Sequence, residues 1–173
     1  MTVPGAWCVV AAVVALASVA QRELRAQTGD VIGVPVGSVP PAPTIEDLQG
    51  TPVDLARWVG KQPVLIEFWA AWCPQCAELL PKMEAARERY GERVAFLVVA
   101  VAVNQSQRSV QRHLERHPML FTFLWDANGA AVRAFQAPTT SYVVVLDATG
   151  KVVYTGTGGD QNLGPALERA VKP

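Results

Sequence analysis

The stretch VLIEFWAAWCPQC, residues 64–76, decides how the rest of the chain is interpreted. Its first half is apolar or β-branched except for Glu67, as expected of a strand covered on both faces. It ends with Cys73 and Cys76, two of the three cysteines in the chain. Such a pair can be a structural disulfide, half of a metal site or a reversible redox pair.

The place of the pair, between a predicted strand and a predicted helix, favours the redox interpretation. The residues that follow Cys73, up to Gly91, have the apolar face and the glycine stop of an amphipathic helix. A thiolate on Cys73 would lie at the helix N-terminus, which can lower a thiol pKa from about 8.5 to about 3.5–7.5. Pro74 suits the first helical position. Cys76 lies one helical turn further along, where it could resolve a mixed disulfide formed by Cys73.

The two competing interpretations explain the pair less well. A disulfide that closes so short a loop constrains little of the unfolded chain. A zinc site needs four ligands. The other candidates, His113 and His117, share one helix face but lie far along the chain from the cysteines. We therefore predict no metal, no cofactor, and ordinary positions on a helix surface for both histidines.

Two neighbours of the pair are further candidates for the site. A carboxyl group buried in a strand is costly unless it is paired or neutral, so burial should raise the pKa of Glu67. Glu67 is then predicted to lie beneath the pair and to act as a proton acceptor for Cys76. The alternative is a solvated position, or a pairing with Lys61 or Lys82. Trp72 is predicted to shield the disulfide and contact the partner protein, although a packing role is also compatible.

The remaining elements predict one α/β domain. Their order is β-α-β-α-β-(α)-β-β-α, with a helix at 106–118, a hairpin turning at Gly150 and a terminal helix capped by Asp160. Half of the residues are hydrophobic and 17% are charged, which is compatible with a packed core. We assign 27–52 to a linker and irregular lead-in, with a short hairpin near Gly50, and 53–173 to the domain.

The first residues point to export. No charged side chain occurs from Met1 to Gln21, and Ser18-Val19-Ala20 resembles a signal-peptidase site. Residues 1–26 are predicted to be a signal peptide or an N-terminal membrane anchor. The domain is therefore expected in the periplasm or on the outer face of the cytoplasmic membrane. The 15 basic and 15 acidic residues form no basic run, which argues against a nucleic-acid partner, and nothing in the sequence demands an oligomer.

Taken together, these residues resemble a known family. The sequence around the cysteine pair looks like thioredoxin. It has Trp72 directly before the pair in a strand-to-helix setting, Glu67 upstream and Pro81 downstream. The lead-in and the extra helix and strand in 106–126 look like its exported TlpA/ResA branch, so that the resemblance covers residues 36–171. It implies a thioredoxin-like fold, with a central mixed sheet flanked by helices and a helix-strand insertion.

The same resemblance implies a function. It indicates a thiol–disulfide oxidoreductase that reduces disulfides of exported proteins, including apocytochromes c, and receives electrons from a membrane protein. Its substrate groove would include Trp72 and Pro74, next to a cis-proline. Two other functions remain open: a redox-inert thioredoxin-like binding module that uses the same groove, and a thiol peroxidase. The peroxidase lacks the Thr and Pro expected before its reactive cysteine.

Three positions depart from the branch pattern. Glu67 stands where the branch commonly has Asn, and Leu79 where it often has Glu. The position expected for the cis-proline, six residues before Asp147, holds Ser141. The nearest proline is Pro138, and cis bonds cost far less before proline than before other residues. We therefore predict that Pro138 is cis and faces the disulfide, with Ser141 as the alternative.

Overall fold

A mixed sheet of seven strands organises residues 33–172, the part of the chain that the computed structural model describes. The predicted signal or anchor, residues 1–26, lies outside this range. Within the range, no helix combines the length and the apolar character needed to cross a membrane. In spatial order β2-β1-β5-β4-β3-β6-β7, the strands are β1 Thr44–Asp47, β2 Pro52–Asp54, β3 Val64–Trp69, β4 Ala95–Val101, β5 Thr122–Asp126, β6 Tyr142–Leu146 and β7 Val152–Gly156.

Strand β3 lies in the interior of the sheet and leads into the cysteine pair. All of its residues are buried, as its apolar sequence predicts. It pairs in parallel with β4 and antiparallel with β6. The sheet therefore combines parallel strands from the first half of the domain with the antiparallel hairpin β6–β7, which confirms the predicted α/β class.

Four helices accompany the sheet in the described residues: α1 Pro74–Tyr90, α2 Gln107–Arg116, α3 Ala130–Ala134 and α4 Gly164–Ala170. Helix α2 begins after Ser106, whose side chain exchanges hydrogen bonds with Ser109 in a capping box. The terminal helix starts later than predicted. Asp160 does not cap it, because its carboxylate instead accepts a hydrogen bond from Lys82 of α1 at 2.7 Å.

The lead-in belongs to the folded domain. Its strand β1 pairs with β2, as the predicted hairpin at Gly50 requires, and also with β5 of the insertion. Further upstream, Gly37 and Ser38 form backbone hydrogen bonds with Val152 at 2.7 and 2.8 Å, along the outer edge of β7. A domain boundary at residue 53 would therefore cut through the β1–β2 hairpin. The lead-in also pairs with the edges of β5 and β7, which would otherwise be unpaired.

Candidate active site

The cysteine pair forms a disulfide at the start of α1. The Cα atoms of Cys73 and Cys76 are 5.3 Å apart, a separation that a disulfide readily spans. Cys73 is the N-cap residue of α1, and its Sγ accepts a hydrogen bond from the backbone N–H of Cys76 at 3.1 Å. Pro74 occupies the first turn, as predicted. The start of the helix therefore keeps the two cysteines at the separation that their disulfide requires.

This geometry makes the two sulfurs unequal. Cys73 is 6% exposed and Cys76 only 1% exposed. After reduction, the N–H groups and the dipole of the 17-residue helix α1 favour negative charge on Cys73, at its N-terminus. The arrangement therefore suits Cys73 for attack on an external disulfide and Cys76 for attack on Cys73.

Glu67 is a buried acid on the strand that leads to the pair. It lies between Val98 of β4 and Val143 of β6 and is only 3% exposed. Its Oε1 has no hydrogen-bond partner among residues 33–172. Burial raises the pKa of this carboxyl group to about 8. Such a group is protonated at neutral pH and can exchange a proton close to that pH.

The alternatives considered for Glu67 do not match this environment. It does not face solvent, and in the described part of the chain it forms no ion pair. Lys82 binds Asp160 and the carbonyl of Gly159 instead. The high pKa therefore stems from desolvation without a compensating cation. Its predicted role as proton acceptor for Cys76 stays a prediction.

Trp72 lies beside the disulfide and is 47% exposed. Its indole Nε1–H donates to the carbonyl of Val103 at 2.8 Å, in the loop after β4. Val103 is itself exposed, so the loop adds apolar surface to that of Trp72. Gln105 fixes the same loop, since its amide accepts from Ala71 at 3.0 Å and donates to Val101 at 2.7 Å.

Sequence reasoning missed Val103 and Gln105. A signal for them was present, because β3 and β4 are parallel and the loops after their carboxyl ends lie at the same edge of the sheet. Glutamine side chains in such loops have no motif of their own, so only the topology could have pointed to them.

Pro138 and Ser141, the two candidates for the cis-proline position, both lie in the segment before β6. All peptide bonds among residues 33–172 are trans, so the prediction that Pro138 is cis is wrong. Pro138 is exposed in the loop before β6. Ser141 directly precedes β6, is fully buried, and has a φ of +57°. Its backbone N–H, which a proline would lack, donates to the carbonyl of Phe68 at 2.7 Å and ties this position to β3.

Replacing Ser141 with proline is therefore expected to destabilise the domain by about 3 kcal/mol or more. Proline has φ near −65° and cannot donate the hydrogen bond to Phe68, whereas Ser141 requires a positive φ. Urea denaturation checks this, with Pro138→Ala in the exposed loop as the control and an expected change below about 1 kcal/mol. A Ser141→Pro variant as stable as the wild type would contradict both the positive φ and the hydrogen bond to Phe68.

A glycine-rich segment after β7 contacts both Ser141 and the first turn of α1. The N–H of Gly158 donates to the carbonyl of Ser141 at 3.1 Å. A Cβ atom on Gly159 would lie 3.1 Å from the carbonyl oxygen of Gln75, one of the two residues between the cysteines, and even closer to the side chain of Glu78. Only a glycine fits without displacement, so this segment rests directly on the first turn of α1. The Gly-Gly pair at a strand end was the available sequence signal.

The two histidines have a packing role. His113 contacts the ring of Trp69 edge-on, with a centroid distance of 5.4 Å, and His117 at 4.9 Å. Burial, together with the nearby His117 and Arg116, lowers the pKa of His113. Residues 33–172 contain no cluster of three or more His, Cys, Asp or Glu side chains arranged for a metal ion. His113 is thus partly buried against the core, and not a plain surface residue.

Comparison with known proteins gives a consistent picture. The family model named Redoxin matches residues 35–170. The chain is 29% identical over 115 residues to the thiol-disulfide oxidoreductase ResA of Halalkalibacterium halodurans, covering 66% of this chain and 64% of that protein. The chain thus spans slightly less than two thirds of that relative. Identity to ResA of Geobacillus thermodenitrificans is 28% over 142 residues, covering 81% and 80%.

A solved structure matches the fold. It is that of a secreted Mycobacterium tuberculosis disulfide oxidoreductase homologous to E. coli DsbE, with a TM-score of 0.62 and 23% identity. The match covers 74% of this chain and 96% of that one. At this identity the similarity concerns the architecture, which is thioredoxin-like in both.

Proposed function

This chain belongs to the Redoxin family, among relatives that are ResA- and DsbE-type thiol–disulfide oxidoreductases, and from that premise we propose that it reduces disulfides of exported proteins. The observation that carries the proposal is the Cys73–Cys76 disulfide at the N-terminus of α1. It combines a cysteine that is slightly more exposed than its partner with a helix terminus that favours the thiolate.

The proposed reaction conserves electrons within the two proteins. The Cys73 thiolate attacks one sulfur of the client disulfide, forms a mixed disulfide and releases the other client sulfur as a thiolate. Cys76 then loses its proton and attacks the Sγ of Cys73, which releases the second client thiolate and closes the Cys73–Cys76 disulfide. The client gains two electrons and the chain loses two. A dithiol donor must return them before the next turnover.

Glu67 is proposed to take the Cys76 proton in the second step. The carboxyl of Glu67 has a pKa of about 8, so its ionised form, the minor form at pH 7, is a base close in strength to a thiolate and can accept this proton. Its place in β3, six residues before Cys73, supports a position beneath the pair. The uncompensated burial of this acid is difficult to explain as a contribution to stability.

The compartment and partners are proposed from the same premise. A secreted relative with this fold and the apolar stretch in residues 1–26 support a location outside the cytoplasm, either free or anchored to the membrane. Clients would be exported disulfide-bearing proteins, including apocytochromes c, and the donor would be a membrane dithiol protein. The exposed surface of Trp72 and Val103 supports contact with a protein client.

The test is stoichiometric electron transfer. The purified chain is reduced, freed of reductant and mixed with insulin as the protein disulfide. Alkylation and mass spectrometry then follow the thiols on both sides. We expect insulin thiols to form as Cys73 and Cys76 are lost, at one insulin disulfide per chain. A chain that stays reduced would contradict the proposal. The proposal would also be contradicted if the disulfide form oxidised reduced clients far faster than the reduced form reduced client disulfides.

A further inference from the structure

Gln161 is the centre of a buried hydrogen-bond network at the edge of the site. The residue lies in the loop between β7 and α4 and is only 5% exposed. Its Nε2 donates to two main-chain carbonyls, that of Ser141 at 3.0 Å and that of Gly158 at 2.7 Å. Its Oε1 accepts from the hydroxyl of Tyr154 at 3.0 Å. The amide therefore uses both of its donors and its acceptor in place.

The network fixes the main chain on both sides of one contact. Ser141 Oγ also donates to the carbonyl of Gly158 at 3.0 Å, and the N–H of Gly158 donates back to the carbonyl of Ser141. The polar main-chain groups of Gly158 are thus all occupied. The segment Gly158–Gly159 cannot move away from Ser141 without breaking several buried or partly buried hydrogen bonds, and Gln161 makes two of them.

The same segment lies against the cysteine turn. Gly159 approaches the carbonyl of Gln75 and the side chain of Glu78 so closely that no Cβ atom would fit. Its own carbonyl accepts from Lys82 of α1 at 2.9 Å. The segment therefore connects the start of β6 with the helix that carries Cys73 and Cys76. Its placement therefore shapes the surface next to the turn that holds the two cysteines.

A second glycine, Gly156, leaves the space that the Tyr154–Gln161 hydrogen bond occupies. A Cβ atom on Gly156 would lie 2.6 Å from Gln161 Oε1 and even closer to the hydroxyl of Tyr154. Any larger residue at position 156 would break the Tyr154–Gln161 contact. Gly156 and Gly159 thus both lie where a side chain would not fit, and both permit the network around Gln161 to form.

We infer that Gln161 is a positioning residue for protein clients, which sets the Gly158–Gly159 segment as one wall of the groove beside Cys73. The inference rests on the proposed function. Gln161 is buried and acts only through the main chain of Ser141 and Gly158. It therefore affects how the flanking chain of a protein disulfide is seated, and not the chemistry of the sulfurs. A small disulfide, which has no flanking chain, should not depend on it.

The test uses Gln161→Met, which keeps the length of the side chain and removes all its hydrogen bonds. With insulin as the substrate we expect KM to rise about tenfold while kcat changes less than about twofold. With the small disulfide DTNB the rate constant should stay within about twofold, and the midpoint potential of the Cys73–Cys76 pair should not change. Tyr154→Phe, which removes only the bond to Oε1, should give a smaller rise in KM.

Gln107→Met is the matched control. The Gln107 amide donates to the carbonyl of Asp47 at 2.9 Å and connects α2 to the hairpin at the other end of the sheet. It should leave both substrates unaffected. The inference is overturned if Gln161→Met and Tyr154→Phe leave the KM for insulin unchanged, or if insulin, DTNB and the midpoint potential all change together. A wild-type chain that reduces neither substrate would instead refute the proposed function, and this inference with it.

Discussion

Replacing Cys73 with serine is expected to abolish disulfide exchange, with a loss of at least about a thousandfold in the rate with insulin. The serine hydroxyl is not ionised at neutral pH, so the helix terminus has no anion to stabilise. Cys76 is only 1% exposed, so we expect that it does not replace Cys73 in the attack. In contrast, Cys76→Ser should retain the first attack and accumulate a mixed disulfide between Cys73 and the client. Non-reducing gels and mass spectrometry distinguish the two results.

These variants also separate the proposed enzyme from a binding module. An adaptor that uses the groove without chemistry would hold its client equally well after Cys73→Ser and would not form a covalent species with Cys76→Ser. A mixed disulfide through Cys76, found in the Cys73→Ser variant at the wild-type rate, would reverse the assignment of the two cysteines.

Replacing Glu67 with glutamine is expected to change how stability depends on pH. In the folded chain the Glu67 carboxyl has a pKa of about 8, against an ordinary value of 4.5. Between these values the folded state holds a proton that the unfolded state has lost, so the free energy of unfolding falls as pH rises. From pH 4.5 to 7 this fall amounts to about 3 kcal/mol, and it ends above about pH 8.

Glutamine does not titrate, so the Glu67→Gln variant should lose this slope and be more stable than the wild type at pH 7. Urea denaturation of the disulfide form at several pH values measures the effect, since Cys73 and Cys76 do not titrate in that form. Glu84→Gln, on the exposed face of α1, is the matched control and should keep the wild-type slope. A slope that persists in Glu67→Gln would place the titrating group elsewhere.

The elements that could be predicted from the sequence are those whose local hydrophobic pattern matches the burial of their residues in the structure. Strand β3 is apolar except for Glu67, and α1 carries an apolar face and a glycine stop, so the strand-to-helix setting of the cysteines could be derived from these elements alone. The lead-in was harder to interpret. Its strands are short and rich in Gly and Pro, and β1 is stabilised mainly by pairing with β5, which lies far along the chain.

The site was predictable where a side chain has one chemical use. The cysteines and Glu67 stand out because thiols at a helix start and acids in buried strands are rare and costly. The role of position 141 could not be derived, because it depends on a positive φ and a backbone hydrogen bond to Phe68 that local pattern does not reveal. Gln161 was missed for a similar reason, since its partners are main-chain carbonyls set by the tertiary fold.

The central claim is that Cys73 and Cys76 form a reversible redox pair that serves as a reductant. The most direct test is an equilibrium redox titration of the purified chain, with the two thiols counted by alkylation and mass. We expect one two-electron transition, closer to about −270 mV, as for thioredoxin, than to about −120 mV, as for a strong oxidant. A transition near the upper value would indicate a disulfide donor, and the absence of any transition would show that the pair is not a working redox centre.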